Sequence, residues 1–195
     1  MNDNTHNFSK QAKLHLCCAN DELRPVMNNI YFDEGYAIAT DGHILACAYI
    51  EEISNLNPED IEKLNGKLLN AASYKELLKY PDICIIDTAI EAKKSIGIYG
   101  SMKVSFGFTT DTTPLNYKLV LDDICVPKDE KEQVPKVFTT GFNVKSLKRI
   151  TDAFGTELID LKYTSRKGAI QVILRGGPWK SKAIIMPLIP EEYYK

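Results

Sequence analysis

The sequence predicts an α+β fold assembled from repeated βαβββ units. Two stretches, residues 66 to 108 and 137 to 187, run through the same order of one strand, one helix and three strands. The beginning of the chain fits that template with its first strand missing. Between the second and third units lies "DDICVPKDEKEQVP", residues 122 to 135, which is charged, holds two prolines and has no period: a linker. The division is therefore residues 1 to 121 as a domain of two units, 122 to 135 as linker, and 136 to 195 as half a domain.

In chain order, the first unit opens with a helix over residues 7 to 18, "NFSKQAKLHLCC", followed by strands within residues 23 to 32, at "YAIAT" (36 to 40) and at "ILACAYI" (44 to 50). The second reads strand "GKLLN", helix "AASYKELLKY", then strands "DICIIDTAI", "SIGIY" and "MKVSFGF". The third reads strand "VFTTGFN", helix "VKSLKRITDAF" stopped by Gly155, strand "LIDLKYT", turn "SRKG", strand "AIQVIL", turn "RGGPW" and strand "KAIIMPL". One such unit cannot bury both faces of its strands, so neighbouring units must share sheets.

Polar positions in the helices have one sign. Lys10 and Lys13 are spaced i, i+3; Lys75 and Lys79 i, i+4; Lys145, Lys148 and Arg149 fall within one turn. Apolar Val144, Leu147, Ile150 and Phe154 run opposite the last set. Total charge is only −2, yet Lys136 to Lys182 contains ten Lys or Arg and three acids, a local +7. Such asymmetry suits a phosphate-bearing partner.

Forty-four per cent hydrophobic content in 195 residues can bury a sizeable core, and no apolar run approaches a membrane span. The start, "MNDNTHNFSK", lacks the basic and apolar regions of a signal peptide, and five cysteines without C-x-x-C suit a reducing cytoplasm. The three histidines show no metal-ligand spacing, and no Walker loop, G-x-S-x-G or H-E-x-x-H occurs. No cofactor or metal is expected.

The turn Thr40-Asp41-Gly42-His43 joins two apolar strands. Asp-Gly is a hairpin signal, because Gly takes positive φ and Asp bonds its own backbone. A Cys–His hydrolase using Cys47 is the competing enzymatic reading, but Cys47 sits within a strand rather than on an exposed elbow.

The stretch "MNNIYFDEGYAIATDGHILACAYI" resembles the middle domain of the bacterial DNA polymerase III beta subunit, the sliding clamp, around its A-T-D-G-H-R-L-A motif. "PLNYKLVL" (114 to 121) resembles that family's F-P-D-Y-R-R-V-L, and "GFNV" with "AIIMPL" (183 to 188) its G-F-N-V and Y-V-V-M-P-M. The resemblance covers nearly the whole chain, abbreviated to a middle domain without its first strand and the second half of a last domain.

It implies a DNA clamp-like fold, with sheets outside and helices on one face around duplex DNA. The helix cations Lys10, Lys13, Lys75, Lys79, Lys145, Lys148 and Arg149 would face phosphates without reading sequence. It implies, too, a non-enzymatic processivity factor in DNA replication. Its hydrophobic pocket for linear peptides of polymerase or repair proteins would be lined by Thr40, Gly42, His43, Leu45, Tyr117, Val120, Ile184, Ile185, Met186, Pro187 and Leu188. Ile44 and Leu119 stand where the family has arginines, so a more apolar peptide is expected. The alternative is an adaptor or decoy that keeps the pocket but does not encircle DNA. Because the third unit lacks half a domain, its sheet should find a partner in a second copy, making a homo-oligomer.

Overall fold

The computed structural model describes residues 5–96, 100–109, 115–125, 140–163 and 168–188. The strands are β1 (Asn29–Asp33), β2 (Tyr36–Thr40), β3 (Ile44–Tyr49), β4 (Leu68–Asn70), β5 (Asp82–Ile86), β6 (Ala89–Ile96), β7 (Gly100–Gly107), β8 (Leu158–Tyr163), β9 (Ile170–Arg175) and β10 (Lys182–Ile185). The helices are α1 (Ile50–Ile53), α2 (Pro58–Leu64), α3 (Ala71–Leu77), α4 (Lys118–Cys125) and α5 (Val144–Phe154).

Seven strands form one antiparallel sheet in the order β4-β1-β2-β3-β10-β9-β8, and β5-β6-β7 form a second. The period-2 alternation of strands divides the large sheet cleanly. Ile30, Phe32, Ala37, Ala39, Ile44, Ala46, Ala183 and Ile185 enter the main core on one face. Tyr31, Ile38, Leu45, Cys47, Leu68 and Ile184 form a second apolar cluster on the other, under Tyr117. The three-stranded sheet adds Ile83, Ile85, Ile90 and Phe106 to the main core.

Several expectations change. Residues 7 to 18 are not an α-helix: only a 3-10 turn, Leu14–Cys17, forms there. Tertiary partners take the backbone groups a helix would use. Ser9 N–H donates to Ile53 O (2.7 Å) and Lys13 N–H to Ala153 O (2.9 Å), while Phe8, Ala12, Leu14, Cys17 and Cys18 are buried without helical period. "DICIIDTAI" is two strands, β5 and β6, folded back at Asp87-Thr88 with Ile86 paired to Ala89. Helices α1, α2 and α4 were not anticipated, and α4 takes in residues 122 to 125 of the expected linker; α2 carries its signals openly, since Asn57 caps the Asp60 amide (2.8 Å), with Pro58 next and Glu59 and Asp60 in the first turn. Of the strand expected at 137 to 143, residues 137 to 139 lie outside the described residues, and the remainder shows one bridge, Gly141 to Leu188. The linker beyond residue 125 and the turn at 165 to 167 also lie outside them.

The third unit does not leave its sheet unpaired at the β10 side. β10 joins β3 through four residue pairs, Lys182 with Cys47 to Ile185 with Ile44. Among the described residues the outermost strand on that side of the sheet is β8. α5 forms over the predicted residues, with Asn143 capping the Lys145 amide (2.9 Å) and Gly155 at φ 63° closing it.

Candidate functional site

The β2–β3 turn is built around one carboxylate. Asp41 Oδ1 accepts from the amides of His43 (2.8 Å) and Ile44 (2.9 Å), and Oδ2 accepts from Arg149 Nη1 of α5. Burial works to raise the Asp41 pKa, but the two amides and the guanidinium outweigh it and hold the carboxyl below its ordinary range. Thr40 Oγ1 donates to Ile44 O (2.6 Å) and accepts from Gly42 N–H (3.1 Å). Gly42 stands at φ 88°, and a Cβ there would meet Arg24 Nη1 at 3.2 Å. Every Asp41 oxygen is occupied by structure, so the turn is a corner.

The hydrolase reading has no thiolate to work with. Cys47 is 1% exposed, and burial pushes its thiol up to about 12, against a smaller opposing pull from Lys182. Among the described residues no group of His, Cys, Asp or Glu could hold a metal ion, and no helix is long and apolar enough to cross a membrane.

On the sheet face away from α5, the turn and β10 form one lip: Met186 N–H donates to His43 O at 2.8 Å. Leu45, Tyr117 and Ile184 share the second apolar cluster, and Thr40 sits beside them, paired across the strands with Leu45. Met186, Leu188 and Val120 are exposed, at 41%, 56% and 37%. His43 is exposed and Pro187 half-buried. Ile185 does not belong with this set: the pleat turns it into the main core, where it is 1% exposed.

A cleft of about 290 Å³ lies at the other end of the β10–β3 pair, where Lys182 meets Cys47, lined by Glu34, Tyr36, Cys47, Tyr117, Lys118, Leu121 and Lys182. Only Tyr117 was expected of these. The signal for the rest was strand alternation, which puts Tyr36 with Ile38, Cys47 with Leu45, and Lys182 with Ile184 on one face. The segment above the cleft is pinned by its first two polar groups. Tyr117 Oη donates to Asp33 Oδ2 (3.0 Å), and Lys118 Nζ pairs with Asp33 (3.1 Å) and Glu34 (2.8 Å). Burial, then the Asp33 contact, raises the Tyr117 pKa, so its proton stays on as donor.

On the opposite face α3, the 14–17 turn and α5 lie side by side. Tyr74 Oη donates to Ala12 O (3.0 Å), Lys13 N–H reaches Ala153 O, and Arg149 Nε reaches Leu16 O (2.6 Å). The expected cations on this layer separate into two groups. Lys10, Lys13, Lys75 and Lys145 are exposed and enter no ion pair among the described residues. Lys79 pairs with Glu76 (2.5 Å) and Lys148 with Asp152 (2.8 Å), both in solvent. Arg149 departs from the expected phosphate-facing set: its guanidinium turns inward to Leu16 O, Cys18 O (3.0 Å) and Asp41.

No protein-family model and no curated protein sequence matches the chain. Solved structures do. The Caulobacter crescentus pol III beta superposes with a TM-score of 0.62 at 14% identity, covering 97% of this chain and 68% of that one. The fold is that of a bacterial sliding clamp. The Bacillus subtilis DNA polymerase sliding clamp gives 0.60 at 12% identity, over 95% of this chain and 64% of its own. The Thermotoga maritima DNA polymerase III beta subunit gives 0.57 at 12%, over 95% and 65%. The chain thus spans about two thirds of the length of the sliding clamps it resembles.

Proposed function

We propose that this chain is a non-enzymatic, clamp-like processivity protein that holds duplex DNA against its helix layer and tethers replication or repair proteins by a linear peptide at the opposite sheet face. The observation that carries the reading is the two-sidedness of one sheet. Lys13, Lys75 and Lys145, exposed and in no ion pair among the described residues, belong to the layer on one face. The His43–Met186 lip, with apolar Leu45, Ile184 and Met186, lies on the other. Ammonium groups grip phosphate oxygens without reading bases, so the protein binds any duplex and loses affinity steeply with salt unless it closes around the DNA. Exposed apolar Met186 and Leu188 along this lip suit an extended hydrophobic peptide. The Bartonella birtlesii sliding clamp, a structural neighbour, is bound to griselimycin, which accords with a ligand-accepting surface on this fold.

In this reading residues 1–121 and 136–195 are two clamp-like parts joined by the 122–135 linker, and closure needs a second copy. Loading onto a nicked circular plasmid tests it: protein should stay on the circle in high salt and leave when the circle is linearised. Retention on both forms, or on neither, refutes a topological clamp.

A second reading, a peptide-binding adaptor that does not encircle DNA, draws on the internal commitment of Arg149 and the pairing of Lys79 and Lys148, which thin the cationic layer. Capture of a clamp-binding peptide with no duplex affinity at low salt identifies it.

A further inference from the structure

The cleft beside Tyr117 is chemically uneven from end to end. Its lining crosses the sheet from Glu34 at the β1–β2 turn through Tyr36 on β2 and Cys47 on β3 to Lys182 on β10, under Tyr117, Lys118 and Leu121. At the Glu34 end charge is already matched, because Lys118 Nζ pairs with both Asp33 and Glu34. At the β10 end it is not. Lys182 is exposed and enters no ion pair among the described residues, and the same holds for Lys180 two places earlier. Between the ends the Cys47 thiol, the Leu121 side chain and two tyrosine rings make an apolar stretch.

An aromatic shelf continues the cleft toward the β9–β10 turn. Tyr36 pairs across the strands with Tyr49, their ring centroids 5.3 Å apart. Lys180 Nζ stands 4.3 Å from the centroid of the Tyr49 ring and 5.1 Å from that of Trp179. Trp179 is the single tryptophan of the chain and is 81% exposed. The backbone beside it is nevertheless fixed: Glu52 of α1 accepts from the Lys180 amide (2.8 Å) and from Ser181 Oγ (2.9 Å), and Tyr49 N–H donates to Ser181 Oγ (3.0 Å). A bulky indole held out in water by an anchored turn gains most when a partner covers it, and tryptophan is enriched among the residues that anchor interfaces.

We infer that the cleft, Lys180, Lys182 and Trp179 form a docking surface for an acidic, apolar segment of a partner protein. Pockets for small molecules run from roughly 300 to 1,000 Å³, and this cleft, at about 290 Å³, has room for one bulky side chain rather than a cofactor. The apolar side chain fills the cleft between Tyr36, Tyr117 and Leu121, and carboxylates beside it in the partner pair with Lys182 and Lys180. The matched charges at the Glu34 end give a carboxylate nothing to gain there, so the segment docks in one direction. Lys182 and Met186 are four residues apart in the chain, about 13 Å in an extended strand, so this surface is separate from the His43–Met186 lip and stands independently of the clamp reading.

The lone tryptophan supplies the readout without a label. The full chain is titrated with the blocked tripeptide acetyl-Phe-Glu-Glu-amide while Trp179 emission is followed under excitation selective for tryptophan. The emission should change saturably. Acetyl-Phe-Gln-Gln-amide, which lacks the charges, and acetyl-Gly-Glu-Glu-amide, which lacks the side chain for the cleft, should each bind about tenfold more weakly. Lys182→Gln should weaken the acidic peptide about tenfold and Lys182→Arg should recover most of the loss, with the urea midpoint of both variants at the wild-type value because the side chain is exposed. Met186→Ala should leave the titration unchanged. No saturable change in the wild type, equal binding of the three peptides, or unchanged affinity in Lys182→Gln overturns the surface. A loss in Met186→Ala as large as that in Lys182→Gln places the peptide at the lip and overturns the separate site. Displacement of the peptide by an oligothymidylate of lower half-saturating concentration assigns the surface to nucleic acid and likewise overturns the proposal.

Discussion

Replacing Arg149 by Ala should unfold the protein more readily while touching no ligand surface. The guanidinium bridges three elements: α5, which carries it, the 14–18 segment through the Leu16 and Cys18 carbonyls, and the β2–β3 turn through Asp41. Side-chain exposure is 33% for Arg149 and 13% for Asp41, so the pair is partly buried. Breaking a fully buried pair costs about 3–5 kcal/mol. Discounted for the exposed third of Arg149, and with two carbonyls left with one donor fewer, the expected loss is about 2–4 kcal/mol. Lys148→Ala, one residue earlier on the same helix, removes a solvent pair at 71% and 43% exposure and should cost less than about 0.5 kcal/mol. The assay is urea denaturation followed by circular dichroism. The sign of the pH effect is fixed by Asp41: its folded pKa lies below the unfolded value, so the pair's contribution is complete above about pH 4 and disappears as pH falls through the folded value. The gap between wild type and Arg149→Ala should therefore narrow in acid. A variant within about 0.5 kcal/mol of wild type at neutral pH, or a gap that widens in acid, refutes the latch.

Other perturbations follow from the same geometry. Lys145→Gln should leave the urea midpoint unchanged and lower the salt slope of duplex binding by about 0.9, measured by fluorescence anisotropy. Met186→Ala, at an exposed position, should cost less than about 1 kcal/mol in stability but weaken capture of a clamp-binding peptide in a pull-down. Cys47 should resist a thiol-reactive dye in the native protein at pH 8 and react on unfolding, because its thiol is pushed up to about 12 by burial; rapid native labelling counts against that burial. Gly42→Ala should cost about 1–2 kcal/mol, since the position has φ 88° and the new Cβ would press on Arg24; an unchanged melt would show that the turn relaxes.

What the sequence made legible was local. α5 could be bounded by its cap residue and its closing glycine because both signals sit within one turn of the helix. Alternation in 36–50 located β2 and β3 and the corner between them. The segment 7–18 misled because its apolar residues serve a core reached from an irregular backbone, and its amides bond residues as distant as Ala153. Arg149 misled for a related reason. Helical spacing places it near Lys145, but a long guanidinium is aimed by what it can reach, and its three acceptors lie at least 108 residues away in sequence. The cleft around Cys47 and Lys182 was invisible because it forms only when β10 meets β3.

That meeting has a consequence for how the chain is made. The two central strands of the large sheet are separated by roughly 140 positions, so the seam between them closes late. During synthesis Ile44 to Cys47 must wait with one side of their backbone unpaired until residues 182 to 185 have left the ribosome. Nascent chains stopped short of that point would expose a hydrophobic, sticky margin, which makes them natural clients of chaperones.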